Sequence, residues 1–304
     1  MSTTLQNLSD LIGHTPLMKL NQVIKPSVGQ ILVKLENRNP SGSVKDRLAY
    51  AIICSGELSG ELVAGDTLVW ATSGNSGTSL AFVGRSKGYP VTIFMPNNAP
   101  LHQRKLLRRY GAEVELTSPK AGMTGALEEA RMFAEQSSSR KFVDVFRNPA
   151  IVGAHYSGTG QEIIDDVGGS IDAFVSGIGT GATITGVGKC LKENIQGIEI
   201  IGVEPTGSPM ISSGLSGSHM IPGIGPDFIP PLLDLSVVDD VFAVSDEEAH
   251  DMTVRLCLEE GLLAGISAGA NVSAAIRVAQ SLSGNATVVT LIPDTGERYL
   301  DVQL

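Results

Sequence analysis

A chain of 304 residues that is 42% hydrophobic and 18% charged can build one large domain or two modest ones, and 35 glycines with 5% aromatics suit close helix-on-sheet packing. The formal net charge of -10 argues against a nucleic-acid or anionic-membrane surface. Cys54, Cys190 and Cys257 form no C-x-x-C pair, and no run of about 18 apolar residues offers a membrane span, so neither a disulfide framework, a zinc site nor a bilayer is expected. Met1–Asp10 carries no basic segment followed by an apolar one, which leads to a cytoplasmic expectation.

Short β-branched runs alternate with helical patterns from end to end, the mark of a mainly parallel sheet. The pattern predicts a strand over 31–35 and a helix over 45–56. A strand over 67–71 leads through a Gly/Ser loop to a helix over 78–86. Next come a strand at 91–95, a helix at 101–110, a strand at 113–117, a helix at 125–136 and extended chain at 142–145. The second half predicts strands at 173–176, 198–203 and 287–292, with helices at 184–193, 247–260 and 271–282. Two stretches break the rhythm. Residues 146–169 suit a domain crossover, and residues 207–231, rich in Gly, Ser and Pro, read as a long functional loop. The basic cluster Arg104, Lys105, Arg108 and Arg109 reads as a solvated helix face.

Four segments carry candidate chemistry. In Asn39-Pro40-Ser41-Gly42-Ser43-Val44-Lys45-Asp46-Arg47, Ser41 or Ser43 is a natural N-cap, which puts Lys45 in the first helical turn. The helix dipole there favours loss of the lysine proton, as Schiff-base chemistry requires; an exposed Lys45 paired with Asp46 fits the same residues. Thr72-Ser73-Gly74-Asn75-Ser76-Gly77 sits between strand and helix, where small residues, amides and hydroxyls suit a carboxylate or phosphate; an ordinary capping turn is the alternative. Gly177-Ile178-Gly179-Thr180-Gly181-Ala182-Thr183 reads as a phosphate cradle. A dinucleotide loop of an NAD-dependent oxidoreductase competes with it, because Glu204 follows the next strand where a ribose-binding acid would fall. The third glycine of G-x-G-x-x-G is missing from either register. In Gly265-Ile266-Ser267-Ala268-Gly269, Ser267 fits a plain N-cap.

With these segments in this order, the sequence resembles the cysteine synthase (O-acetylserine sulfhydrylase) family of the tryptophan-synthase-β fold type. The likeness runs from Ile12-Gly13-His14-Thr15-Pro16-Leu17 through the four segments and Gly223-Ile224-Gly225 to Pro293-Asp294-Thr295-Gly296-Glu297-Arg298-Tyr299-Leu300. The resemblance implies an α/β fold of two open, mainly parallel twisted sheets flanked by helices, fold type II among pyridoxal-phosphate enzymes. It implies a larger cofactor domain, 1–39 plus 151–304, and a smaller mobile one, 40–150. Lys45 would hold pyridoxal 5'-phosphate and move the α-proton. Asn75 would bond the ring oxygen, Gly179, Thr180, Gly181, Ala182 and Thr183 the phosphate, and Ser267 the pyridine nitrogen. Thr72, Ser73, Asn75 and Ser76 would hold the substrate carboxylate. The implied reaction is ping-pong β-replacement, O-acetyl-L-serine plus sulfide giving L-cysteine plus acetate through an α-aminoacrylate. A homodimer is implied as well, and a possible partner in the C-terminal tail of serine acetyltransferase, with Met123 at a family contact position.

Three departures from the family pattern bear on the substrate. Val145 replaces the usual Gln, Ala182 a usual glycine, and Trp70-Ala71 the usual Glu-Pro or Glu-Ala. They leave open a cystathionine β-synthase-like reaction, or a donor such as serine or O-phosphoserine. Arg147 is a candidate anchor for such a phosphate.

Overall fold

In a computed structural model of the chain, residues 4–25, 29–282 and 285–300 are described. The elements in chain order are β1 (Leu17–Lys19), β2 (Gln30–Leu35), α1 (Lys45–Ser59), β3 (Thr67–Ala71), α2 (Asn75–Ser86), β4 (Val91–Pro96), α3 (Leu101–Arg109) and β5 (Glu113–Thr117). There follow α4 (Gly122–Glu135), β6 (Arg140–Phe142), α5 (Ala150–Ala154), a π-helical segment (His155–Gly160), α6 (Gln161–Val167), β7 (Ala173–Gly177) and α7 (Ala182–Asn194). The chain ends with β8 (Glu199–Pro205), the short α8 (Met210–Ser213), β9 (Asp240–Val244), α9 (Asp246–Glu260), α10 (Ile266–Ser281) and β10 (Thr287–Ile292).

Two compact units result: Met1–Ile12 with Lys45–Ala150, and Gly13–Val44 with Ile151–Leu304. The first holds a four-stranded, fully parallel sheet in the order β5-β4-β3-β6. Its central strand β4 is buried along its whole length, as a parallel strand covered on both faces must be. Ala126, Ala130 and Ala134 recur every four residues along α4, and this flat stripe packs on Val69, Ala71 and Phe94.

The second unit holds a six-stranded sheet, β1-β2-β10-β7-β8-β9, parallel except for the β1–β2 pair. Central β10 is an unbroken buried run, Thr-Val-Val-Thr-Leu-Ile. α9 starts with a capping box, Ser245 accepting from the Glu248 amide at 3.1 Å while Glu248 accepts from the Ser245 amide at 2.9 Å. α10 begins at Ile266 rather than at 271, despite a poor helix former at Gly269. A Cβ at Gly269 would lie 1.9 Å from the Ala249 carbonyl oxygen, so the small residue lets α10 pack closely on α9.

Several expectations change. Strands β1 (Leu-Met-Lys) and β9 (Asp-Val-Phe-Ala-Val), both at sheet edges, are additional to the expected elements, and the extended chain expected over 142–145 is a strand at Arg140–Phe142. The break expected at 146–169 is largely helical: α5, the π-helical segment and α6 fill 150–167 without interruption. The long loop over 207–231 contains only α8. The basic face of α3 is solvated as expected, with Lys105, Arg108 and Arg109 exposed.

An ion cluster around one buried lysine joins β2 to α6 in the second unit. Lys34 on β2 is completely buried; its Nζ lies 3.0 Å from Glu162 and 2.8 Å from Asp166 on α6, and it donates to the Thr15 carbonyl at 2.6 Å. Removing one partner of a buried pair leaves the other charge uncompensated. Lys34→Met is expected to lower unfolding stability in urea by about 3 kcal/mol, with part regained in Lys34→Met/Glu162→Gln. Equal stability of wild type and single variant would show that the cluster is energetically neutral.

Candidate active site

In the first unit, Lys45 is the first residue of α1 and is half-buried, while the next two residues, Asp46 and Arg47, are buried. The chain crosses from the second unit to the first between Val44 and Lys45. Just before that crossing, the backbone is laced to residues 293–295. The Val44 amide donates to the Pro293 carbonyl at 2.8 Å and the Thr295 amide to the Gly42 carbonyl at 3.2 Å. Ser43 is bridged to Asp294 in the same way. Lys45 is thus the first helical residue after that laced segment.

The Gly/Ser loop follows β3, and α2 starts at Asn75, three residues earlier than the pattern predicts, with Gly74 as its N-cap. Thr72 Oγ1 accepts from the Gly74 amide at 3.1 Å and from the Ser76 hydroxyl at 3.0 Å. Its own hydrogen stays available to an anion. Ser73 is exposed, and Thr72, Asn75 and Ser76 are half-buried, so the loop is open to a ligand. Gln103, buried on α3, donates to the Gly74 carbonyl at 3.0 Å and to Thr78 Oγ1 at 2.7 Å. This buttress escaped the sequence reading because Gln103 lies among the basic residues of a surface helix. Val145 is buried, whereas Arg147 sits on the surface, 3.3 Å from Asp144. Arg147 is thus engaged by a neighbouring carboxylate, and the structure does not support it as a phosphate anchor.

In the second unit, β7 runs into the loop 178–181 and then α7. Gly181 is the N-cap of α7 at φ +82°, and a Cβ there would lie 2.7 Å from the Leu233 backbone nitrogen. Only glycine fits. A Cβ at Gly179 would lie 2.3 Å from the Gly223 carbonyl oxygen, and the Gly225 amide donates to the Ile178 carbonyl at 3.0 Å. Part of the long loop over 207–231 therefore walls the cradle. Leu233 is followed by Asp234, whose amide donates to Thr185 Oγ1 at 2.9 Å and whose carboxylate lies 2.7 Å from Lys189. The Lys189 hydrogen bond, helped by Ser236, holds the Asp234 carboxyl down to about 2.

Among the described residues, no hydrogen bond within the chain engages the amides of Gly179, Thr180 and Gly181. Unused amides at the start of a 13-residue helix, two threonine hydroxyls and no acid in the loop form a donor set for a phosphate. The dinucleotide alternative loses its acid. Glu204 is buried at the end of β8, and its two carboxylate oxygens accept from the Ile211 and Ser212 amides at 2.7 and 3.1 Å. It caps α8.

Ser267 is the second residue of α10 and is buried; the N-cap is Gly265, so the plain N-cap reading of Ser267 does not hold. A buried neutral hydroxyl at a helix start is compatible with a ring nitrogen. The residues present thus fit the phosphate and the ring of pyridoxal phosphate.

Comparison with known proteins agrees. The pyridoxal-phosphate-dependent enzyme family matches residues 8–294. A cysteine synthase from Staphylococcus aureus is 43% identical over 299 residues, 98% of this chain and 96% of that protein. The crystal structure of O-ureido-L-serine synthase superposes with a TM-score of 0.95 at 37% identity, covering 98% of this chain and 94% of the other. The O-acetylserine-dependent cystathionine β-synthase from Helicobacter pylori gives a TM-score of 0.92 at 35% identity, with 99% of each chain covered. From residues, folded loops and relatives together, the chain belongs to the cysteine synthase family of pyridoxal-phosphate-dependent enzymes.

Proposed function

We propose that this enzyme replaces the acetoxy group of O-acetyl-L-serine with sulfide, giving L-cysteine and acetate. The observation that carries the reading is the acid-free cradle Gly179–Thr183, where the unused amides of Gly179, Thr180 and Gly181 stand beside two threonine hydroxyls as a donor set for the phosphate of the cofactor. When bound, the cofactor supplies the electron sink for cleavage of the α-proton and the β-substituent. Lys45 is assigned as the residue that anchors it and then carries the α-proton. Asn75 is assigned to the ring oxygen.

Thr72, Ser73, Asn75 and Ser76 are assigned to the substrate carboxylate through hydroxyls and the amides at the start of α2. Ser267 is assigned to the ring nitrogen. Its hydroxyl can share a hydrogen bond but cannot supply the negative charge that would stabilise a pyridinium, which favours β-elimination over transamination. The resemblance also supports a homodimer, and an anion pocket at 72–76 able to take the C-terminal carboxylate of a partner such as serine acetyltransferase.

A second reading changes the nucleophile or the donor, and Val145 favours it. A buried valine offers no hydrogen bond at a position where the family resemblance expects an amide. The two readings separate in one assay. Sulfide-dependent release of cysteine from O-acetylserine, faster than cystathionine formation from homocysteine, is the expected result; the reverse order selects the second reading.

Lys45→Ala is expected to abolish turnover and the visible absorbance of lysine-bound cofactor. Cofactor still reducible by borohydride onto another lysine would move the assignment elsewhere. Val145→Gln should tighten O-acetylserine by on the order of tenfold in a spectral titration, because a hydrogen bond to a charged group contributes about 1.5–3 kcal/mol. Cofactor content should stay unchanged. Identical titrations of O-acetylserine, serine and O-phosphoserine in variant and wild type would show that residue 145 does not face the substrate.

A further inference from the structure

A buried histidine stands behind the phosphate cradle. His155 is 2% exposed; its Nε2 lies 3.1 Å from Thr183 Oγ1 and its Nδ1 lies 3.0 Å from Thr159 Oγ1. It opens the π-helical segment His155–Gly160, a wide turn set between α5 and α6. Such turns cost hydrogen-bond geometry and tend to persist where they aim a side chain. Here the turn places His155 and Thr159, four residues apart, on one hydrogen-bonded line.

Two glycines press this turn against α7. A Cβ at Gly186 would lie 2.4 Å from the Val152 carbonyl oxygen and 2.7 Å from His155 Cβ. A Cβ at Gly160 would lie 2.7 Å from Cys190 Cβ. The imidazole is therefore packed against the helix that carries Thr183, one turn before Gly186.

The direction of the hydrogen bonds follows from counting hydrogens. A neutral imidazole has one N–H and one lone pair, and a threonine hydroxyl has one hydrogen. A phosphate dianion only accepts. For Thr183 to give its hydrogen to the phosphate, His155 has to donate from Nε2 to Thr183 Oγ1, and Nδ1 then accepts from Thr159. The opposite tautomer would draw the Thr183 hydrogen to the ring and aim an oxygen lone pair at the anion.

We propose that His155 is a positioning residue for the cofactor phosphate: held as the Nε2–H tautomer by Thr159, it fixes the Thr183 hydroxyl with its hydrogen toward the phosphate. This rests on the reading of Gly179–Thr183 as the phosphate cradle. The chain Thr159 to His155 to Thr183 to phosphate then runs in one direction, so each donor is oriented before the cofactor arrives and none has to turn on binding.

Two measurements test it, one on the wild-type holoenzyme. In protein labelled with 15N-histidine, the His155 resonances are identified by their loss in His155→Gln. They should report a neutral ring with hydrogen on Nε2; hydrogen on Nδ1, or on both nitrogens, overturns the proposal. The second is a cycle of pyridoxal-phosphate dissociation constants for wild type, Thr183→Val, His155→Ala and the double variant. Thr183→Val should weaken binding about tenfold or more, and His155→Ala about fivefold. In the Thr183→Val background, His155→Ala should change affinity less than about twofold, because the residue acts through a hydroxyl no longer present. His155→Gln, able to donate an N–H to Thr183, should recover part of the loss. A full fivefold effect of His155→Ala in both backgrounds would overturn the positioning role and leave the cradle intact. No effect of Thr183→Val would overturn the cradle reading itself.

Discussion

The loop from Gly179 to Thr183 works because side chains are missing from it. With a Cβ at residue 179 the loop would collide with the carbonyl of Gly223, and with one at residue 181 it would collide with Leu233. Those clashes would push the loop outward and scatter the amides that now point past the end of α7. Amide donors gathered at a helix start are oriented before any ligand arrives, so binding an anion costs little reorganisation. Much of the second unit serves this arrangement: Leu233 and Asp234 are held against α7 by Thr185 and Lys189, and Gly225 is tied to Ile178. The π turn with His155 backs the same helix from another side.

The same device recurs with different chemistry. α2 and α10 also begin with small residues after extended chain, at Gly74-Asn75 and Gly265-Ile266. At α2 the neighbours are hydroxyls, and Thr72 is set by two incoming hydrogen bonds so that its own hydrogen remains to be given. At α10 the single buried Ser267 offers a neutral contact. The three helix starts share a glycine N-cap, left-handed at Gly181 and extended at Gly74 and Gly265, and differ in the side chains around it. The family relationship explains why these loops occur in this order.

Much of this was legible in the sequence wherever burial imposes a pattern. The strands at 67–71 and 287–292 are legible to the residue as short buried runs bounded by turns, and the mostly exposed edge strand at 113–117 is legible as well. Edge strand β1 is only three residues long, and edge strand β9, Asp-Val-Phe-Ala-Val, stands after the long irregular stretch and outside the predicted elements although four of its five residues are apolar. Helix starts at Asn75 and Ile266 lie upstream of where the apolar pattern begins, since Gly and Ser lower helix propensity there and close packing offsets the cost, as at Gly269 against Ala249. The cradle residues stood out through their spacing. Gln103 and His155 did not: each acts through a hydrogen bond to a residue far away in sequence, and nothing local marks it. Glu204 shows the converse, an acid at a suggestive spacing whose carboxylate is used entirely inside the fold.

The central claim is that this cradle grips the cofactor by its phosphate, and the most direct measurement compares two ligands that differ only there. Apoenzyme titrated with pyridoxal 5'-phosphate and with pyridoxal, each followed by absorbance and by protein fluorescence from Trp70, isolates the phosphate contribution. Several charge-assisted hydrogen bonds of about 1.5–3 kcal/mol each should make pyridoxal weaker by at least on the order of a thousandfold. Comparable affinities for the two would contradict the account, because the amides of Gly179, Thr180 and Gly181 would then be holding nothing.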